Sequence, residues 1–178
     1  MVEAVTARPS GRRPAGWLMA VSLGMGATIG SALLFQHVGG YMPCALCLEQ
    51  RTAYYIGLPV GLIAIGAVLA GAPAWLGRIA LLIIGLLMLW TMAIGVYHAG
   101  VEWNFWAGPA DCAAGATANF SGDLLSALDA VVPPSCTEAA LRVGGISMAG
   151  WNVIAAAILA ALALYGAYPA SSSVSQYR

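Results

Sequence analysis

Lysine is absent from this chain, and only 8% of its 178 residues are charged. A soluble globular domain carries about 25% charged residues, so this chain cannot cover a water-facing surface. Formal net charge is zero, with seven arginines against seven acidic residues. No basic excess exists to recruit a nucleic acid. Only two histidines, His37 and His98, are present. Zinc usually wants four ligands; beside the cysteine pair Cys44–Cys47 these are the only histidines, and no metal is expected. Long runs of sequence hold no ionisable group at all, which argues against a transporter, whose spans carry such groups along the substrate path.

What is abundant is apolar: 61% of residues are hydrophobic, and mean hydropathy is +0.83. Four stretches reach the roughly 20 apolar residues a membrane-spanning helix needs. They run over 17–36, 52–72, 75–97 and 148–168. An all-α integral membrane protein is expected, a single bundle of four transmembrane helices. Residues 1–16 and 169–178 form its tails and 73–74 a tight turn around Pro73. The first stretch exceeds the roughly 7–15 apolar residues of a signal-peptide core, so it reads as a span.

Arginine placement orients the bundle. Arg8, Arg12, Arg13, Arg78 and Arg178 fall on one side of the four spans, Arg51 and Arg142 on the other. The richer side is cytoplasmic by the positive-inside rule. Both termini are then inside, and the connections 37–51 and 98–147 are outside. Trp17, Tyr54, Tyr55, Trp75, Trp151 and Tyr168 lie near span ends, where amphipathic rings settle.

The four cysteines, Cys44, Cys47, Cys112 and Cys136, all fall in these two outer connections. Orientation came from arginines alone, yet it puts every cysteine on the oxidising side, where disulfides persist. Cys44-Ala45-Leu46-Cys47 is a C-x-x-C pair at the membrane surface. Such spacing lets one thiol resolve a mixed disulfide made by the other. Pro43 precedes it, so Cys44 can open the next helix and hold the pair in the first turn. A helix N-terminus favours thiolate. Arg51 lies four residues after Cys47, on the same helix face. Pairing among four cysteines has three solutions, and the spacing alone leaves them open.

The second connection is long enough to hold structure of its own. Leu124, Leu125, Leu128 and Val132 recur at helical spacing behind a Ser121 cap, with Phe120 placed as a staple. Pro133-Pro134 stops that helix. A second short helix is expected from Thr137 to Gly144-Gly145. Glu49 and Gln50 read as interfacial residues. Ser22, Gly24, Gly26 and Gly30 read as small residues for close helix packing, and Met88 and Met92 as span filling.

The run Pro43-Cys44-Ala45-Leu46-Cys47-Leu48-Glu49-Gln50-Arg51, behind a span ending Phe35-Gln36-His37-Val38, resembles the DsbB family. So do the stretches from Tyr97 to Trp106 and from Ile146 to Asn152. The resemblance implies a four-helix bacterial inner-membrane protein that reoxidises a periplasmic DsbA-like thiol oxidase and passes electrons to membrane quinone, ubiquinone or menaquinone. It implies that Cys112 and Cys136 form the pair that accepts electrons from the partner, with Cys112 making the mixed disulfide. Cys136 would bridge transiently to Cys44. Cys47 and Arg51 would face the quinone, and His98 matches a quinone-proximal histidine. DsbA is a strong oxidant at roughly −120 mV, whereas ordinary structural disulfides lie below about −300 mV. The cysteine pairs of such a protein must therefore be unusually oxidising, or be pulled by the quinone. Alternatives are a paralogue serving another thioredoxin-like partner, or a structural or transport membrane protein with staple disulfides. A vitamin K epoxide reductase-like protein is disfavoured, because that family places its active C-x-x-C late in the chain.

Overall fold

A computed structural model describes residues 12–109, 112 and 135–168. Four helices dominate: α1 (Arg12–His37), α2 (Ala45–Leu69), α3 (Ala74–Glu102) and α4 (Met148–Ala167). All four are long and apolar enough to cross a membrane. Hydrocarbon offers no water to bond backbone N–H and C=O groups, so a spanning chain takes the helix, which satisfies them internally. α3 packs most extensively on α4 and also on α2, while α1 packs on α2 and α4.

The core holds Leu18, Val21 and Met25 of α1, and Leu81, Ile84 and Met88 of α3, none of them accessible. Leu23, Ile63, Leu86 and Ile158 stand exposed on the outer faces. In water such faces would drive association; against lipid they are the matched surface.

Small residues set the helix spacing only where another side chain comes close. A Cβ on Gly24 would meet Leu159 Cδ2 at 2.6 Å, and one on Gly85 would meet Leu164 Cδ2 at 2.7 Å. The backbone of Gly61 likewise receives Ser22. Gly26 and Gly30, read from sequence as packing residues, face open space. Met88 is buried as expected.

The elements differ from those read along the chain at several points, α1 beginning at Arg12 where 17 was expected and α2 ending at Leu69 where 72 was expected. α2 starts at Ala45, seven residues before 52. The C-x-x-C and its polar neighbours therefore belong to the helix, as Pro43 and the Cys44 cap allow. α3 runs on to Glu102, past 97. The polar residues His98 and Glu102 ended the hydropathy signal without ending the helix. The short helix expected over 137–144 is absent. Instead β1 (Arg142–Val143) pairs antiparallel with β2 (Ile146–Ser147). Gly144 (φ 61°) and Gly145 (φ 83°) make the two-residue turn between them. Positive φ at both central residues is the twist that hairpins favour and that only glycine adopts freely. Trp151 Nε1 donates to the Val143 carbonyl at 3.0 Å, tying the hairpin to α4. The helix expected over 121–132 lies outside the described residues.

Gly85→Val is expected to lower the thermal midpoint in detergent, with a cost of about 1–3 kcal/mol typical of overpacking. Gly26→Ala, with empty space around it, is expected to leave the midpoint unchanged or slightly raised. Equal losses in both variants would contradict close α3–α4 packing at Gly85.

Candidate functional site

Pro43 holds the chain extended before α2, and Cys44 caps the helix with φ −76° and ψ 171°. Its Sγ accepts from the backbone N–H of Cys47 at 3.3 Å. The C-x-x-C thus occupies a helix start, where unpaired N–H groups favour negative charge. The two sulfurs lie 2.7 Å apart, share a hydrogen bond, and are free thiols. Cys112 and Cys136 form a disulfide with Cα atoms 5.3 Å apart, closing a sequence separation of 24. All four cysteines meet in one small cluster: Cys44, Cys112 and Cys136 pack with Leu46 and Val101, and Cys47 lies against them. Cys136 is wholly inaccessible, and Cys112 nearly so.

His98 stands one turn before the end of α3, buried, with Nε2 3.6 Å from Cys44 Sγ. Its other nitrogen, Nδ1, lies 2.9 Å from Gln50 Nε2. The orientation of the Gln50 amide follows from its remaining contacts. Gln50 Nε2 also faces the Leu46 carbonyl at 3.3 Å, and Oε1 accepts from Asn152 Nδ2 at 2.7 Å. An amide nitrogen can only donate, so Nδ1 accepts and the imidazole proton sits on Nε2, facing Cys44. Asn152 is oriented in turn. Thr91 spends its hydroxyl hydrogen on the Gln50 carbonyl at 2.9 Å, so it accepts from Asn152 Nδ2. Tyr54 O–H donates to Asn152 Oδ1 at 2.7 Å. The result is one directed chain from Tyr54 through Asn152, Gln50 and His98 to the Cys44 sulfur. Bonds aligned this way polarise one another. Gly95 makes room for it: a Cβ there would meet Val153 at 2.8 Å and Gln50 Oε1 at 3.3 Å.

This surrounding pulls the Cys44 thiol down from its ordinary 9.0 to about 4. The hydrogen bond with Cys47 contributes most, burial opposes it, and His98 and the Cys47 backbone N–H add to the lowering.

Two spaces flank the C-x-x-C. One is a mainly apolar cleft among α1, α2 and α4, lined by Ile29, Ala32, Cys47, Arg51, Tyr54 and Met148 among others. Arg51 Nη1 donates to Gln36 Oε1 at its edge. Cys47 and Arg51 thus open on the same cleft, as their spacing anticipates. The other is a small cavity lined by Cys44, Cys47, His98, Glu102, Ser135 and Glu138 among others. His98 belongs to this second space and does not line the cleft of Arg51.

Cys44, Cys47 and His98 bring three metal-type donor atoms within 4.8 Å of one another. That is one short of the four that close a structural zinc site.

Four residues of this site escaped the sequence reading. Gln50 passed as interfacial, and Glu102, Thr91 and Asn152 drew no functional reading. The available signal was polarity inside apolar segments, where side chains must find partners within the bundle.

Four spanning helices that gather a dithiol and a disulfide at one end make a multi-pass membrane thiol–disulfide protein. The chain belongs to the DsbB family: the family described as disulfide bond formation protein DsbB matches it over residues 13–166. No curated protein and no solved structure matches the chain at a significant level.

Alkylation of the reduced protein tests the Cys44 environment, because only the thiolate reacts. The rate at Cys44 is expected to rise with pH through about 4 and to be flat near neutrality. Cys47→Ala removes the largest lowering contribution and should move the midpoint upward. A wild-type midpoint in the ordinary thiol range would contradict this geometry. Gln50→Leu should slow alkylation at pH 4–5, since it frees the His98 ring from the tautomer that donates to Cys44.

Proposed function

We propose that this protein reoxidises a DsbA-like thioredoxin-fold thiol oxidase on the periplasmic side of a bacterial inner membrane and passes the electrons to membrane quinone. The single observation that carries the reading is the gathering of all four cysteines into one cluster beside an apolar cleft. Neither pair would need to touch the other if both were staples.

The chain's residues divide the work. The partner's thiolate attacks at Cys112, breaking its bond to Cys136. Both sulfurs are buried, so docking must expose Cys112 before exchange begins. The released Cys136 thiolate attacks Cys44 when Cys44 is bonded to Cys47. Cys44 is the sulfur of the pair that packs in the same buried cluster as Cys136. Cys47, freed by that attack, faces the cleft. His98 Nε2–H stabilises negative charge on Cys44 whenever that sulfur is the leaving group.

The cleft fits a quinone head group by its donors and its walls. Ile29, Ala32 and Met148 offer apolar surface for a flat ring. The Arg51 guanidinium offers a planar fork of N–H donors for a ring oxygen. Quinone bound there supplies a two-electron, two-proton acceptor. Arg51 would stabilise negative charge developing on the cleft side, and Cys47 is the sulfur positioned to deliver electrons.

The test is reduction of a soluble quinone by purified protein supplied with a reduced DsbA-like oxidase. Cys47→Ser and Cys112→Ser are each expected to abolish turnover. Arg51→Lys keeps charge but loses the fork, and should cost tenfold or more in rate, about 1.4 kcal/mol or above. Turnover that survives Cys112→Ser would make the Cys112–Cys136 disulfide structural. Wild-type protein that binds quinone without turnover would point to a different thiol partner.

A further inference from the structure

Glu102 is a carboxyl in an expensive place. It is the last residue of α3, where the helix dipole disfavours negative charge. It is 8% exposed. Its Oε1 lies 3.8 Å from His98 Nε2. Its Oε2 is buried with no hydrogen-bond partner among the described residues. Among the described residues, no arginine lines the cavity it shares with Cys44 and Cys47. A buried polar atom left without a partner asks for an explanation, and an unpaired buried charge is costly.

The explanation lies in the single hydrogen on His98. The Gln50 bond at Nδ1 leaves one N–H, on Nε2, which faces two groups: Cys44 Sγ at 3.6 Å, within reach of a sulfur acceptor, and Glu102 Oε1 at 3.8 Å, in electrostatic contact. If Cys44 and Glu102 were both anionic, two like charges would share one donor inside a small cavity. Like charges so placed cannot both ionise freely, and one group keeps a proton. Among the described residues, the other ionisable groups at the cavity are Cys47 and Glu138. Glu138 is exposed. Arg51 is turned to Gln36 on the far side of Cys47.

We propose that Glu102 is a proton-carrying group of the thiol–disulfide reaction: it is ionised when Cys44 is in a disulfide and takes up a proton when Cys44 becomes a thiolate. The inference rests on the redox role assigned above to Cys44–Cys47. The step balances. Two electrons from an incoming dithiol break the Cys44–Cys47 bond. Of that dithiol's two protons, one goes to the Cys47 sulfur and one to the Glu102 carboxylate. Cys44 is left as thiolate. The Cys44–Glu102 pair carries one negative charge before and after, and it moves from the Glu102 side of His98 Nε2–H to the Cys44 side. Oε2, which has no hydrogen-bond partner among the described residues, is the oxygen placed to receive the proton.

Infrared difference spectroscopy between the oxidised and dithiothreitol-reduced protein tests this directly. Reduction of wild type is expected to raise a carbonyl-stretch band of a protonated carboxylic acid. The band should vanish in Glu102→Gln, which keeps the shape and loses the titratable group. It should vanish in Cys44→Ala, where the sulfur that takes the charge is gone. Glu102→Asp, which restores a carboxylic acid, should show a band at a shifted frequency. A wild type with no such band, or a band that persists in Glu102→Gln, would overturn the proposal. Quinone reduction measured on the same samples separates the two readings. A band without quinone reduction leaves Glu102 in place and removes the quinone assignment. Quinone reduction without the band removes Glu102 alone.

Discussion

The hydrocarbon medium allows no polar group to be left to water, and this constraint shapes both the fold and the site. For the backbone it selects helices, so the described chain is almost wholly four spans and their short joins. For side chains it demands partners within the bundle. Tyr54, Gln50, Thr91 and Asn152 come from three different helices and find one another. A polar residue in a span is stabilised by such pairing by only about 0.6–2 kcal/mol. The gain in specificity is larger than that figure suggests. Each amide can point only one way once Leu46 and Thr91 have taken their bonds, and the last member, His98, is therefore left with its proton toward sulfur.

The spans were legible because length and hydropathy are properties of local sequence. Pro43 also made the helix start at the C-x-x-C readable, since proline disfavours helix in the residue before it and suits a helix start. The ends were harder. Hydropathy falls at His98 and Glu102, but a helix ends where its hydrogen bonds end, and those residues are buried by tertiary contacts invisible to a window average. Gly144-Gly145 was ambiguous for a different reason. Glycine ends a helix and also makes a tight hairpin turn, both through positive φ. The deciding interactions, strand pairing and the Trp151 bond to Val143, appear only in three dimensions.

The site was legible in its sulfurs and only partly in their surroundings. Cys47 and Arg51 share a helix face by arithmetic, and both line the cleft. His98 could be singled out as one of two histidines, but its neighbour could not be deduced. It sits beside Cys44, on the other side of the pair from Arg51. Gln50 lies directly before Arg51, yet points to a different helix. Successive helical residues are turned about 100° from each other: both line the cleft, but only Gln50 also reaches His98 of α3. Sequence proximity hides that difference; helix geometry enforces it.

The C-x-x-C thus has two unlike sides. Cys47 opens on a mainly apolar cleft with a guanidinium, while Cys44 faces a small cavity with an imidazole and a carboxyl. Both thiols belong to one covalent pair, yet their environments ask different things of them. A thiolate is a better leaving group when its own acidity is high, and Cys44, held down to about 4, meets that condition beside the Cys112–Cys136 disulfide. The low value also makes Cys44 a weaker intrinsic nucleophile, since nucleophilicity falls with acidity. Cys44 is therefore the sulfur that leaves readily when a bond to it breaks, and the charge it then carries lies in the cavity shared with His98 and Glu102, while Cys47 opens on the cleft.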